Sequence, residues 1–279
     1  MSYNNPEPSQ LPNSNNARPF PKFGSIQVMS APSHSNYHAL YLKLRRRFDG
    51  GLSFLSSFAW GKSIDNGSGI RTSDGDSLTP SNNYDLELER GLSAFDFRRR
   101  WTTSGVWELP FGKDRRWMNT STAADLRLGG WQVGGILTLQ DGFPFTVTCG
   151  PGNIQNGGGN CYPDATGIDW RLSGDERSRT RWFNAGAFVD RDPANGPFRY
   201  GTVARNSITG PGIVSVDASA NKRFRIGDSY VELRVEIFNL PNHPIWSQPG
   251  SQLRTPTFGV INSTRMDSRQ IQLGVKYVF

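Results

Sequence analysis

The chain lacks any run of 18 apolar residues, so no helix in it can cross a bilayer. It is poor in metal-binding side chains, with two cysteines and three histidines. His34, His38 and His243 are scattered, and no four-ligand zinc cluster is formed from them. Long stretches of Ala, Leu, Glu and Lys are missing, which argues against a helical bundle. Gly157-Gly158-Gly159 is followed by no Lys-Ser/Thr pair, so it reads as a loop tip rather than a phosphate cradle. No nucleophile elbow is present, and His243 has no Ser or Cys motif placed as a partner. No carboxylate pair has glycosidase spacing. No catalytic residue, cofactor or metal is expected.

What is plentiful is glycine (31 residues) and aromatic side chains, with 17 Phe, 8 Trp and 8 Tyr. Hydrophobic residues make up only 35%, and mean hydropathy is -0.53. That is low for a soluble core, yet it suits a barrel, where only alternate strand residues meet lipid and the loops are polar. The net charge is +7. A basic chain often binds nucleic acid. Here the arginines are spread along strands and loops, and no nucleic-acid partner is expected.

The last residues carry the clearest pattern. Ile271, Leu273, Val275, Tyr277 and Phe279 alternate with mostly polar or small residues up to the free carboxylate. A terminal Tyr-x-Phe on an alternating strand is the closing signal of an outer-membrane barrel, with its aromatics in the interfacial girdle.

Six further segments alternate in the same way: 37–48, 52–61, 95–109, 126–140, 212–224 and 230–239, with 269–279 as the seventh. Apolar residues such as Leu40, Leu42, Leu44, Phe54, Phe58, Leu137, Val214, Leu233 and Val235 take one face. Phe97 is placed there as well, and Trp60, Trp101, Trp107, Trp131, Tyr277 and Phe279 are read as lipid-facing or girdle residues. Lys43, Arg45, Arg47, Asp96, Arg98, Arg100, Glu232, Arg234 and Glu236 take the other face and are expected to line the lumen. There they either border a substrate path or pair with one another and with a plug.

The connections alternate between short and long. Residues 49–51, 110–125 and 225–228 are short, whereas 62–93, 141–210 and 240–267 are long and polar. Tight periplasmic turns and long external loops have this asymmetry. The long loops are expected to be solvated, and Asp65-Asn66-Gly67 and Asp74-Gly75-Asp76 lack the spacing and closing Glu of a calcium loop. Cys149 and Cys161 have eleven residues between them in a Gly/Asn-rich stretch, which suits a local disulfide in an oxidising compartment; two free thiols are the alternative.

The expected fold is therefore all-β: an antiparallel transmembrane β-barrel segment of about seven strands, an incomplete barrel with long external loops. Residues 1–36 read as external loop with room for a short strand over 23–30, and 37–279 as the C-terminal part of the barrel. Single-chain barrels have an even number of strands, at least eight, and an open edge is not tolerated in hydrocarbon. Met1 opens on no charged or apolar leader, so no signal peptide is read there. Together these make a C-terminal fragment the expectation.

Several stretches resemble a known family. They are Asn36–Leu40 leading to Arg46-Arg47-Phe48, Asp96-Phe97-Arg98 followed by Trp107–Gly112, Gly130–Val133 followed by Gly142–Phe145, Phe238–Pro244, and Gln272–Phe279. In this order they are similar to the C-terminal barrel of TonB-dependent outer-membrane receptors of the Oar-like, Acidobacteria-type group. The resemblance implies a 22-stranded barrel of which this is roughly the last third. It implies uptake of a substrate across the outer membrane of a Gram-negative bacterium. Its implied partners are outer-membrane lipid, the remaining barrel and plug, the barrel assembly machinery, and TonB only through an N-terminal part not seen here. A non-coupled porin or adhesin-type barrel is one alternative. A secreted soluble β-sandwich binding module is the other.

Overall fold

In the computed structural model the described residues are 4, 18–24, 26, 28, 32–69, 80–82, 85–113, 115–118, 122–151, 161–190 and 200–279. They hold seven long strands in one antiparallel sheet. These are β1 (Ser35–Asp49), β2 (Leu52–Asp65), β3 (Arg99–Glu108), β4 (Trp131–Gln140), β5 (Ile213–Ile226), β6 (Ser229–Phe238) and β7 (Gln270–Val278). Each strand pairs with the next in sequence, so the sheet is a meander. Gly91–Leu92 adds a short pairing to the end of β2.

Alternation sets the register. Leu42 lies opposite Phe58, Phe58 opposite Trp101, and Trp101 opposite Leu139. Leu139 meets Val214 across the next pair. Farther on, Ala220 meets Val235 and Val235 meets Leu273. Directly opposed residues share a face, so these side chains make one apolar surface across seven strands. The face is bare: Leu44, Leu273 and Val275 are 63%, 75% and 76% exposed. A soluble sandwich would bury it beneath a second sheet, and no second layer covers it among the described residues. Strands of 9 to 15 residues are long enough to cross hydrocarbon at a tilt.

Turn chemistry pins the ends. Gly50 and Gly51 join β1 to β2 at φ +60° and +83°, and Gly227 joins β5 to β6 at φ +62°. This left-handed region is open to glycine without steric cost.

Two expected strand starts need correction. The segment 126–140 becomes a strand only at Trp131, because helix α1 (Thr122–Leu128) precedes it. Leu126 and Leu128 mimic a period of two, but Ala-Ala-Asp-Leu-Arg-Leu is made of helix formers, and Gly129-Gly130 stops it. The segment 95–109 becomes a strand only at Arg99. Phe97 therefore does not join the lipid face; its ring packs edge-on against Phe143 at 6.1 Å. Half of the short strand considered over 23–30 lies outside the described residues, and the described ones, 23, 24, 26 and 28, are in no strand.

The main correction concerns the long connections. Their sequence reads as solvated polar loop, yet they hold the only sizeable hydrophobic core among the described residues. Phe145, Val147, Phe183, Phe188, Val203, Ile208 and Leu253 are buried together, with Trp170, Trp182 and Phe258 packed against them. Phe183 is the hub, 5.0 Å from the Phe258 ring and 5.8 Å from the Phe188 ring, both nearly perpendicular. Backbone bonds sew the second and third loops together, from Thr148 N to Ser251 O (3.0 Å) and from Ile261 N to Arg179 O (2.8 Å). The molecule is a lipid-facing sheet with a packed cap at the end opposite the short turns.

Candidate functional site

Two features make the candidate site: the polar face of the sheet and the cap above it. On the polar face, Arg223 Nε donates to Glu232 Oε2 at 2.8 Å, and Arg234 Nη2 donates to Glu232 Oε1 at 3.1 Å. Arg234 Nη1 lies 3.8 Å from Glu236 Oε1. The predicted charges Glu232, Arg234 and Glu236 are thus brought into one chain of alternating sign. Arg223, which sequence reasoning left out of the set, anchors its end. Lys276 stands opposite Glu232 in the register. The arginines are half exposed, so each pair contributes modestly, roughly 0.2–1 kcal/mol.

Lys43 and Arg45 share a hollow on the sheet with Ser104, Gly134 and Ser219. Arg100 lies opposite Ala59 and Gln140. Arg47 falls where the β1–β2 register shifts, between Arg46 and Asp49. Arg98 lies just before β3, and its carbonyl accepts from Gly61 N at 3.0 Å.

Asp96 is not a lumen-facing wall residue. It is buried below the cap, where Oδ1 accepts from Ser63 N at 2.6 Å. The reason is local: β3 starts only at Arg99, so β2 beyond Trp60 has lost its ladder partner on that side, and the Asp96 carboxylate accepts the Ser63 N–H instead. Asp65 is likewise not a solvated loop residue. It ends β2, is buried, and forms an ion pair with Arg205.

Arg205 is the centre of the cap's polar layer. Nε donates to Glu89 O (2.7 Å), Nη1 to Ser68 Oγ (3.2 Å) and Nη2 to Asp65 O (2.8 Å), besides the Asp65 carboxylate. Glu89 is buried too and accepts from Tyr162 Oη at 2.8 Å. Asn206 Nδ2 donates to Leu92 O at 2.7 Å. A buried guanidinium with this many acceptors acts as a bolt between the first and second loops. Sequence reasoning missed it, because Asp65 and Arg205 are 140 positions apart and no motif marks either.

The cap has a third fastening. Cys149 and Cys161 are joined by a disulfide, with Cα atoms 5.4 Å apart. Such a crosslink restricts the unfolded loop far more than the folded one. Asp74-Gly75-Asp76 and Gly157-Gly158-Gly159 lie outside the described residues.

At the closing strand, Ile271, Leu273, Val275 and Tyr277 lie on the apolar face, and the Tyr277 and Phe279 rings are 5.9 Å apart. Phe279 is 97% exposed.

A solvent-avoiding sheet face, a polar face lined with paired charges, and a bolted cap at one end are the parts of a membrane barrel wall. No curated protein and no solved structure matches the chain. A family model, described as outer membrane beta barrel domain, matches residues 1–272. That is nearly the whole chain, and it agrees with the fold just described: the protein belongs to the outer membrane beta barrel domain family, which places it in the outer membrane.

Proposed function

We propose that the chain is the C-terminal barrel segment of a TonB-dependent outer-membrane receptor, and that it takes up a substrate which its external cap meets first. The observation that supports this most is the polar wall beneath a cap with its own core. The charges of Arg223, Glu232, Arg234 and Glu236 form a continuous strip on the lumen side. Such a strip suits contact with a folded plug better than an open water channel. The outer edges of β1 and β7 add a second support. Neither has a partner among the described residues, and unpaired backbone is not tolerated in hydrocarbon. Further strands would complete a barrel larger than seven.

In this reading lipid covers the apolar face, and the Tyr277-x-Phe279 end is what the barrel assembly machinery recognises. The plug carries the contact to TonB, and selectivity lies in the cap and the plug. No catalytic role is proposed.

Planar-bilayer conductance tests the reading. The protein is purified from the outer membrane together with whatever strands and plug complete it. A plugged receptor is expected to stay closed at rest and to open when denaturant loosens the plug. Steady open pores at rest would instead identify an uncoupled porin or adhesin-type barrel.

A further inference from the structure

The lumen face is not uniform in charge. Toward β6 its arginines are neutralised, since Glu232 takes both Arg223 and Arg234. On β1, β2 and β3 the cations stand alone. Lys43 lies opposite Ser57 and Arg45 opposite Leu55, out of step with the Leu42–Phe58 pair of the lipid face. Arg100 shares their face, opposite Ala59, with its guanidinium 5.9 Å from the Phe97 ring. All three are exposed, and none has a carboxylate partner among the described residues. The acids of this face on the same strands are both taken. Glu108 at the short-turn end is held by Arg115 at 2.7 Å, and Asp65 under the cap is held by Arg205.

The residues beside these cations are small and neutral. From Lys43 one row runs through Ser57, Thr102 and Thr138, three hydroxyls on successive strands. From Arg45 the next runs through Leu55 and Ser104 to Ile136. That row meets an acid only at Asp217 on β5, which accepts from Asn239 N at 2.9 Å. The hydroxyls of Ser57, Thr102, Ser104 and Thr138 have no hydrogen-bond partner among the described residues. Each is therefore free to donate to a passing acceptor. Lys43, Arg45, Ser53, Ser104 and Ser219 line a hollow of about 590 Å³, and all five have lumen parity. Gly134 keeps it open, because a Cβ there would lie 2.7 Å from Ser219 Oγ. A concave wall with cations of one sign and no counter-charge concentrates anions from solution.

We propose, on the reading of the chain as an uptake barrel, that this sector of the wall guides the substrate and that the substrate is an anion bearing carboxylate or phosphate oxygens. Lys43 and Arg45 supply the attraction, and the hydroxyls beside them supply weak donors along the way. Weak, repeated contacts let a solute move on, where a tight site would hold it. Lysines and arginines on a pore wall select anions for the same reason that acidic rings select cations. The paired strip of Glu232, Arg234 and Glu236 is left to meet the plug.

Thiol labelling tests this, on protein purified from the outer membrane with whatever strands and plug complete it, after denaturant has loosened the plug. Ser104→Cys puts one reactive thiol of this chain in the hollow, since Cys149 and Cys161 are bonded to each other. An anionic methanethiosulfonate is expected to react faster there than a cationic one. Adding Lys43→Gln and Arg45→Gln should lower that rate ratio about twofold per charge removed, the effect of a unit charge roughly 10 Å away at low ionic strength. Succinate or inorganic phosphate should slow the labelling of Ser104→Cys, and glucose should not. The better protector of the two anions tells carboxylate from phosphate. Heat-modifiable migration on gels checks folding, and if the triple variant fails it, Ser104→Cys with Lys43→Gln decides. Equal rates for the two reagents, a ratio unchanged by removing the charges, protection by neither anion, or no reaction with either reagent would overturn the proposal. Steady open pores at rest would remove the receptor reading alone and leave the labelling ratio as expected.

Discussion

Arg205→Ala is expected to release the external cap while the strands stay paired. Arg205 is 3% exposed, and it satisfies Asp65, Glu89 O and Ser68 together. Removing it leaves the Asp65 carboxylate buried without its counter-charge. Breaking a buried pair in this way costs about 3–5 kcal/mol, because the remaining charge is neither solvated nor paired. The loss falls on the junction of the first and second loops, not on the sheet ladder. Limited proteolysis between residues 161 and 190 should become fast in the variant, while gel mobility of the folded barrel stays unchanged. Arg205→Lys should rescue only part of the effect, since an ammonium cannot hold the same fork of acceptors. Proteolysis at the wild-type rate in Arg205→Ala would show that the bolt holds nothing.

Val235→Arg is expected to have the second large effect. Val235 lies on the apolar face, between Ala220 and Leu273. Arginine near the midplane of a barrel's lipid face costs about 2–4 kcal/mol. Its sequence neighbour Glu236 points the other way, toward Arg234. Glu236→Gln removes one half-exposed pair and should cost less than about 1 kcal/mol. Urea unfolding in phospholipid vesicles checks both. Equal costs for the two variants would mean that the faces do not differ in solvent.

The barrel wall was legible from sequence because alternation is a local signal with a fixed period. Leu40, Leu42 and Leu44, or Ile271, Leu273 and Val275, declare their face within five residues. Once lipid takes one face and the lumen the other, the register follows. The start of β3 was misplaced because Asp96-Phe97-Arg98 continues the same alternation; only the loop contacts of Asp96 and Phe97 end it. The cap was invisible for a different reason. Its core residues, such as Phe145, Phe183, Ile208 and Leu253, are single apolar positions in Gly/Asn/Ser-rich stretches with no period. Its polar layer joins residues 65, 89, 162 and 205, whose contacts are set by tertiary packing and not by spacing. Low apolar content in a long loop does not preclude a core when a disulfide and a buried ion pair help close it.

The central claim is that one sheet face meets lipid and the other water. It is tested most directly with spin labels on adjacent residues of β4, at Leu137→Cys and Thr138→Cys. Cys149 and Cys161 are bonded to each other, so the introduced thiol is the one that reacts. In vesicles, the label at 137 should collide more with dissolved oxygen and the label at 138 more with a water-soluble nickel chelate. The same accessibility at both positions, or the reverse order, would contradict the account.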